Sequence, residues 1–243
     1  MKDPIEIFRS EIYDRLDNTV VITEVLTNGF DTQLIRICEP KWMYKGIPIL
    51  YYGSSGFTVN KFNETIIFNG VEEKNIIEIG KPFEFSQGVQ VGDVLEIKMP
   101  TLINGTRIAV KDEFKILTDY DVTQGVPLIW IHETIRGKMY DVNSPWEREV
   151  SYIVFLLNEI QHEIMTNAKR TMGVAPMYKL LSEISEIVRD KRLIWCDGDI
   201  DETSFSEFGT EDKNGIRKQI LDANLGGLEI RFTGKVFKEN CKC

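Results

Sequence analysis

The chain has 243 residues, enough to bury a large core in one large domain or two smaller ones. Its composition, 42% hydrophobic and 28% charged, is typical of globular proteins, and no apolar run approaches the roughly 20 residues of a membrane-spanning helix. The net charge of −9 argues against nucleic-acid binding as the main role, because that role requires a basic face.

The N-terminal residues and the cysteines favour a reduced, intracellular setting. Met1 to Glu6 contain acidic residues and no apolar core, so we expect no secretion signal. The four cysteines include no CxxC pair, which argues against a structural zinc site. Cys38 and Cys196 have no local signature of a reactive thiol, and we expect both to be buried.

Residues 3–17 are predicted to form a helix. Asp3 can cap its N-terminus, and Pro4 suits the first helical position. Its apolar residues recur every three or four positions, which is typical of one buried face: Ile5, Phe8, Ile12 and Leu16. A strand over residues 20–26 follows and ends at the turn pair Asn28-Gly29.

Residues 30–117 are predicted to form short strands separated by turns. The apolar runs recur about every 8–12 residues with Asn-Gly and Gly-Asp pairs between them, a pattern typical of an antiparallel barrel or sandwich. Residues 53–56 are predicted to be a loop, and Gly92-Asp93-Val94-Leu95 is a turn common in small barrels. The predicted strands cover residues 34–37, 47–52, 65–68, 75–79, 94–99 and 106–110.

The remaining residues are predicted to mix strands and a helix. Val126–Ile131 is an apolar strand, and Arg136–Pro145 is a polar connection. Glu147–Leu157 is a long strand whose nearly continuous hydrophobicity predicts burial on both faces. Residues 158–170 form either a loop or a short helix.

A second helix begins near Pro176, where proline suits a helix start. Its apolar stripe predicts one buried face: Met177, Leu180, Leu181, Ile184, Ile187 and Val188. A short strand over Leu193–Cys196 and an acidic loop over Asp197–Asn214 follow. Leu228–Phe237 alternates with period two and predicts a closing strand.

No catalytic, cofactor-binding or metal-binding residue is predicted. Residues 161–166 begin like the zinc-protease HExxH motif, but Thr166 stands where the second histidine is needed. His132 and His162 are the two histidines of the chain, so a polyhistidine metal site is not expected. No GxxxxGK[ST], GxGxxG or GxSxG motif occurs, and we expect that the protein is not an enzyme.

The acidic segment that begins at Asp197 has carboxylates at alternate positions, as calcium loops do. Glu202 occupies the position where an EF-hand needs glycine, and Phe208 occupies that of the bidentate glutamate. A solvated acidic loop is therefore favoured over an ion site.

Aromatic residues of the predicted β-rich part could stack on sugars or line an interface, although core packing explains most of them. They are Trp42, Tyr44, Tyr51, Tyr52 and Phe57. Trp146 follows Pro145 in a loop and could cap a sheet edge.

The order of elements around Pro127-Leu128-Ile129-Trp130-Ile131 resembles a known family. This strand follows an N-terminal helix and precedes an apolar strand, a helix containing Pro176-Met177-Tyr178 with Leu180-Leu181, and an amphipathic strand. The pattern is similar to the tail-terminator-like neck proteins of tailed bacteriophages, in particular those of short-tailed, crAss-like phages. It covers roughly residues 3–26 and 124–237.

The resemblance implies an α+β fold in which a terminator-like domain, residues 1–29 and 118–243, carries an inserted β-barrel or β-sandwich domain, residues 30–117. It implies a non-enzymatic virion protein that forms a homo-oligomeric ring in the neck or tail, between portal-side and tail-side proteins. DNA would pass through the lumen without specific binding. Neither cofactor nor membrane is implied, and the protein would be made in the host cytoplasm.

Contacts with neighbouring virion proteins are expected on the inserted domain and on the loops at Arg136–Pro145 and Asp197–Asn214. Two alternatives remain open from the sequence. The β-rich part could be a carbohydrate- or receptor-binding module, or the chain could be a hydrolase that uses scattered carboxylates.

Overall fold

The computed structural model describes residues 3–39, 41–51, 54–61, 66–68, 71–73, 75–81, 88–118, 121–132, 136–139, 147–160, 170–189, 194–196, 200–211, 217–221 and 223–237. The chain divides into two compact units. The barrel unit is Asp17–Met99, and the sheet unit combines Met1–Leu16 with Pro100–Cys243.

The barrel unit is built on a closed barrel of six antiparallel strands. Neighbours around the barrel follow the order β1-β2-β7-β4-β3-β8, and β5 and β6 pair separately as a two-stranded sheet. The strands are β1 (Thr19–Asn28), β2 (Thr32–Ile37), β3 (Pro48–Tyr51), β4 (Ser54–Lys61), β5 (Ile66–Phe68), β6 (Val71–Glu73), β7 (Ile76–Gly80) and β8 (Val94–Ile97).

The barrel core follows from the period-two alternation of its strands, because every second side chain points inward. Trp42, Ile49, Phe57 and Leu95 are all 0% exposed. The indole Nε1 of Trp42 donates to the carbonyl of Lys98 at 3.1 Å, which pairs the one polar atom of this large side chain. Full burial of each such side chain contributes about 1.5–3 kcal/mol to the stability of the unit.

A side-chain amide holds the segment before β8 against the barrel. Gln33, 1% exposed, donates from Nε2 to the carbonyl of Val89 and accepts from the Val89 amide at Oε1, both at 2.8 Å. The predicted turn follows, with Gly92 at φ +90°, and the Asp93 carboxylate accepts from the Gln90 amide and the Tyr51 hydroxyl. Gln33 thus supplies the hydrogen bonds that a neighbouring strand would provide.

The sheet unit contains a seven-stranded sheet in which β13-β17-β12-β10-β9 is the main order. β11 also pairs with β12, and β14 with β17. The β9–β10 pair is parallel, and the others are antiparallel. β15 and β16 form a separate pair. The strands are β9 (Thr101–Gly105), β10 (Leu128–His132), β11 (Arg136–Met139), β12 (Glu147–Glu159), β13 (Ile194–Cys196), β14 (Asp201–Phe205), β15 (Gly209–Glu211), β16 (Arg217–Gln219) and β17 (Leu225–Phe237).

The helices of the sheet unit are α1 (Pro4–Glu11), α2 (Arg107–Thr118) and α3 (Ala175–Arg189). Short 3-10 turns cover Tyr13–Arg15 and Val122–Gln124, and a π-helical turn, Arg170–Val174, precedes α3. Asp3 caps α1 by accepting from the Ile5 amide at 2.8 Å, as its sequence predicts.

Apolar layers cover the sheet. Phe8 of α1 packs on Tyr152 and Phe232, whose rings stack at 5.2 Å across the β12–β17 pair. α3 packs against β12, β13 and β17 through its apolar stripe, of which Ile187 alone is partly exposed. A second cluster joins α2 to the sheet: Ile103, Val110, Phe114, Leu128, Trp130 and Leu157.

The fold is α+β, and the β-rich part predicted from the sequence is confirmed as a barrel. The units differ from the predicted domains, residues 1–29 with 118–243 and residues 30–117. β1 pairs with β2 and β8 and so belongs to the barrel unit. β9 pairs with β10, and α2 packs on β9, so both belong to the sheet unit.

Three local predictions are wrong. Residues 106–110 were predicted as a strand, but α2 begins at Arg107, because β9 pairs with β10 and Val110, Phe114 and Thr118 recur every fourth residue on a buried helical face. Residues 54–56 belong to β4, since this strand pairs with β3 from Ser54 onward. The segment Asp197–Asn214 contains β14 and β15 because β14 pairs with β17.

Four further predictions are corrected in part. α1 ends at Glu11 and gives way to a 3-10 turn. The predicted connection Arg136–Pro145 begins with β11, which pairs with β12. Tyr152 of β12 is buried while Ile153 is partly exposed, so much of β12 is fully buried on one face only. Cys38 is exposed because β2 ends at Ile37; the side chain of Cys196 lies outside the described residues.

Candidate functional site

An open cleft of about 590 Å³ lies on the face of the sheet that carries Trp130. Its aromatic lining comes from Trp130, Phe155, Phe205 and Phe208, with His132 beside them. Its charged lining comes from Arg107, Glu207 and Glu229. We refer to this site as the aromatic cleft.

Strand pairing brings distant parts of the chain to the aromatic cleft. Trp130 of β10 lies directly opposite Phe155 of β12, and Phe155 lies opposite Glu229 of β17. Directly paired residues share a face of the sheet, so these three side chains form one row. Phe205 ends β14, and the segment after it returns Phe208 to the sheet, where its amide donates to the Leu225 carbonyl.

The four rings contact one another in specific geometries. Trp130 and Phe155 stack with centroids 4.7 Å apart and ring planes 28° apart. Phe208 meets Trp130 edge-on at 6.1 Å and lies 5.3 Å from Phe155. Phe205 lies 5.1 Å from Phe208. Such stacked and edge-to-face pairs contribute about 0.5–1.5 kcal/mol each beyond the burial of their area.

Solvent reaches these rings to different extents. Trp130, 2% exposed, forms the floor, and its Nε1 donates to the Gly105 carbonyl at 3.1 Å. Phe155 and Phe205 are half-buried. Their accessible ring surface, next to the carboxylates, is the part of the cleft that a bound group can touch.

Glu229 is already paired with a guanidinium at the rim. Arg231 Nε lies 2.5 Å from Glu229 Oε1, with the Arg231 side chain 62% exposed and that of Glu229 22% exposed. An ion pair this exposed contributes little to stability, typically under about 1 kcal/mol. It shows that the Glu229 carboxylate accepts a guanidinium at this position.

The chemistry available in the cleft is binding through rings and charges. Among the described residues that line it, none carries a hydroxyl, thiol or amine side chain. Among the described residues of the chain, no group of three or more His, Cys, Asp or Glu residues could hold a metal ion. Arg107, Glu207, Glu229 and His132 are the polar side chains that remain.

Four of the five aromatic residues proposed for the β-rich part lie in the core of the barrel. Trp42 and Phe57 are 0% exposed, Tyr51 is 8% exposed and Tyr44 is 9% exposed. Stacking on a sugar requires an accessible ring face, which these four residues do not offer. Tyr52 lies outside the described residues.

Other residues singled out in the sequence have varied positions. His132 lines the aromatic cleft, while Trp146 and His162 lie outside the described residues. Glu202, from the calcium-like segment, is exposed on β14 and accepts from the Tyr178 hydroxyl at 2.9 Å. Phe208, from the same segment, belongs to the aromatic cleft.

Sequence reasoning missed Phe155, Phe205 and Phe208 as site residues. Phe155 lies in a strand that was correctly predicted, but its position opposite Trp130 depends on which strands pair and in which register. The spacing of Phe205 and Phe208, three positions apart, could have indicated a pair of aromatic site residues. The segment was instead predicted to be a solvated loop.

A second feature is an apolar surface on α2. Ile108 is 74% exposed and Ile116 79% exposed. They lie one turn before and one turn after Asp112, on the side of the helix away from the buried Val110 and Phe114. We refer to Ile108 and Ile116 as the α2 surface.

No protein-family model matches the sequence, and no curated protein matches it either. Within the described part of the chain, no helix combines the length and the apolar character needed to span a membrane.

Proposed function

We propose that the protein is a non-enzymatic structural subunit of a bacteriophage neck or tail that assembles with copies of itself into a ring. The observation that carries this proposal is the α2 surface, where two large aliphatic side chains project into solvent from a helix whose other face is already packed. Burying each of them in a contact would contribute about 1.5–3 kcal/mol.

Ile108 and Ile116 lie on either side of Asp112, and burying them against another protein would remove their apolar area from water. A head-to-tail contact, in which the α2 surface of one copy meets a different surface of the next, generates a ring when its rotation closes. Such a ring joins portal-side and tail-side proteins of the virion. The order of elements in the sheet unit, with α1, β10, β12, α3 and β17 in sequence, supports a terminator-like role.

The net charge of −9 is compatible with a channel for DNA. A surplus of carboxylates repels phosphate groups, so DNA can pass through the lumen without being held. The ring is incorporated into the virion from subunits made in the host cytoplasm.

The test is the oligomeric state of the purified protein between about 1 and 100 µM, measured by mass photometry and light scattering, with negative-stain microscopy of the product. We expect rings, and we expect Ile116→Asp to dissociate them, because a carboxylate cannot be buried there cheaply. Phe30→Asp is the matched control, since Phe30 is 77% exposed at the β1–β2 turn of the barrel unit.

A protein that stays monomeric at every concentration, and also when purified phage portal and tail proteins are added, would contradict the proposal. If both variants dissociate the rings equally, the added negative charge itself would be the cause, and the α2 surface would not be identified as the contact.

A further inference from the structure

We propose that the aromatic cleft binds an arginine side chain of a partner protein. The site and its occupant do not depend on ring formation. The accessible rings of Phe155 and Phe205 and the carboxylates of Glu207 and Glu229 around them indicate this occupant.

The accessible surface of the cleft suits a flat, positively charged group. A guanidinium stacks on an aromatic face and is attracted by the negative charge of the ring face. Phe155 and Phe205 are half-buried, so each retains ring surface to which such a group can bind. The floor beneath them, Trp130 and Phe208, is packed and fixed by ring contacts, so the site is formed before anything binds.

The charges of the lining favour a cation. The lining contains two carboxylates, those of Glu207 and Glu229, and one guanidinium, that of Arg107. Arg231, which does not line the cleft, balances the charge of Glu229 until a partner's guanidinium takes its place. The same charges disfavour nucleotides and other phosphates, although aromatic rings would otherwise stack on bases. A sugar gains less from this lining, because its hydroxyl groups are neutral and are not attracted by the charge of the carboxylates or of the ring faces.

An arginine of the chain itself already binds one of the cleft carboxylates. Arg231 donates from Nε to Oε1 of Glu229 and contacts only one of its two carboxylate oxygens. A guanidinium from a partner can engage the carboxylate through two parallel hydrogen bonds, a geometry that lysine cannot reproduce. Arg231 is therefore a competitor at the rim, and the partner's arginine replaces its contact.

The experiment uses the full chain labelled with 5-fluorotryptophan and follows the fluorine NMR signal of Trp130, identified by its loss in Trp130→Phe. The probes are N-acetyl-argininamide and N-acetyl-citrullinamide, which has nearly the same shape as arginine without the charge. We expect arginine to shift the Trp130 signal saturably in the millimolar range and citrulline to leave it unchanged.

Two variants should act in opposite directions. Glu229→Gln removes a carboxylate and should weaken arginine binding about threefold or more, while Arg231→Gln removes the competitor and should tighten binding about twofold. Glu186→Gln is the control for loss of one negative charge, because Glu186 is exposed on α3 and does not line the cleft. A variant that merely loosened the fold would not tighten binding.

The proposal is overturned if arginine leaves the Trp130 signal unchanged, or if citrulline shifts it equally. A saturable response to methyl glucoside of equal strength would also overturn it and would assign the cleft to sugars. If Arg231→Gln weakens arginine binding, as Glu229→Gln does, then the ion pair between these residues only stabilises the structure of the rim. That result would overturn the proposal that Arg231 competes with the partner's arginine.

Discussion

The barrel unit and the sheet unit both contain groups of aromatic side chains, and these groups differ in their access to solvent. Trp42 and Phe57 of the barrel are 0% exposed. Phe155 and Phe205 of the aromatic cleft are half-buried, above a floor formed by Trp130.

The difference in solvent access follows from the arrangement of the strands in each unit. A closed barrel directs one face of every strand to a shared interior, so its aromatic residues are used for packing. The open sheet has two faces, and the face with Trp130 is covered at one end by α2 and remains open at the cleft. Aromatic content alone therefore does not locate a binding surface, whereas an incompletely covered sheet face does.

The largest expected effect contrasts two phenylalanines. Phe57→Ala should destabilise the protein by about 3–5 kcal/mol, because it leaves a cavity in a closed core. Phe205→Ala should cost about 1–2 kcal/mol, since part of this ring is already in water. Urea denaturation followed by circular dichroism measures both, and equal costs would remove the distinction between the two groups.

The second expected effect concerns the closure of the barrel. Gln33→Leu leaves the amide and carbonyl of Val89 without the Gln33 side chain, and each unpaired buried group costs about 1–3 kcal/mol. We expect a loss of about 2 kcal/mol or more and faster hydrogen exchange at the Val89 amide. Gln90→Leu, the same change at an exposed position, should leave both unchanged.

A smaller expected effect is a different pH dependence of stability in the two units. In the barrel unit it involves the carboxyl of Asp17. Burial raises the pKa of this carboxyl, but hydrogen bonds from Thr19 and the charge of Lys41 outweigh it, and the pKa is lowered overall. The charged form therefore stabilises the fold above the unfolded pKa of about 3.9, and this contribution is lost as the pH falls through the folded pKa.

Asp17→Asn keeps the acceptor for Thr19 and removes the charge, so it should lower stability at pH 7 by a few tenths of a kcal/mol, because the Asp17 side chain is 55% exposed and solvent screens the pair. The difference from the wild type should shrink as the pH falls through the lowered pKa of Asp17 in the folded state. Melting temperatures measured from pH 2.5 to 8 check this, and a difference that persists at low pH would refute it.

The smallest expected effect concerns Glu159 of the sheet unit, where the pKa shift is opposite in direction to that of Asp17. Burial, and then the charge of Asp121, raise the pKa of the Glu159 carboxyl. Its charged form is thus unfavourable in the fold. The penalty is absent below the unfolded pKa of about 4.3 and complete once the pH exceeds the folded pKa.

Glu159→Gln removes this penalty and should stabilise the protein at pH 7 by a few tenths of a kcal/mol, reduced because the group is half-exposed. The gain should disappear near pH 4. The same melting series tests it, and a loss of stability at pH 7 would contradict the assigned direction.

Much of the architecture could be predicted from local patterns. The Asp3 cap, the stripe of α3 and the alternation of β17 each express a periodicity that one segment contains by itself. The turn at Gly92 and the regular spacing of strands predicted a β-rich unit, and the structure contains one.

The failures lie where pairing between distant segments decides the structure. Asn104-Gly105 is typical of a hairpin turn, and the residues after it suit a strand, yet β9 runs parallel to β10 and α2 follows. The aromatic cleft depends on the same kind of information. Trp130, Phe155 and Glu229 are 25 or more positions apart in the sequence, and the sheet register alone makes them neighbours.

The two units are completed at different times during translation, so they can fold at different times. The barrel unit is one continuous segment, Asp17–Met99, whereas the sheet unit uses residues on both sides of it. All 13 residues of β17 pair with β12, so β12 leaves the ribosome long before its main partner exists. We therefore expect nascent chains that end before residue 225 to combine a finished barrel with a β12 whose edge toward β17 is exposed and prone to aggregation, although β12 can already pair with β10.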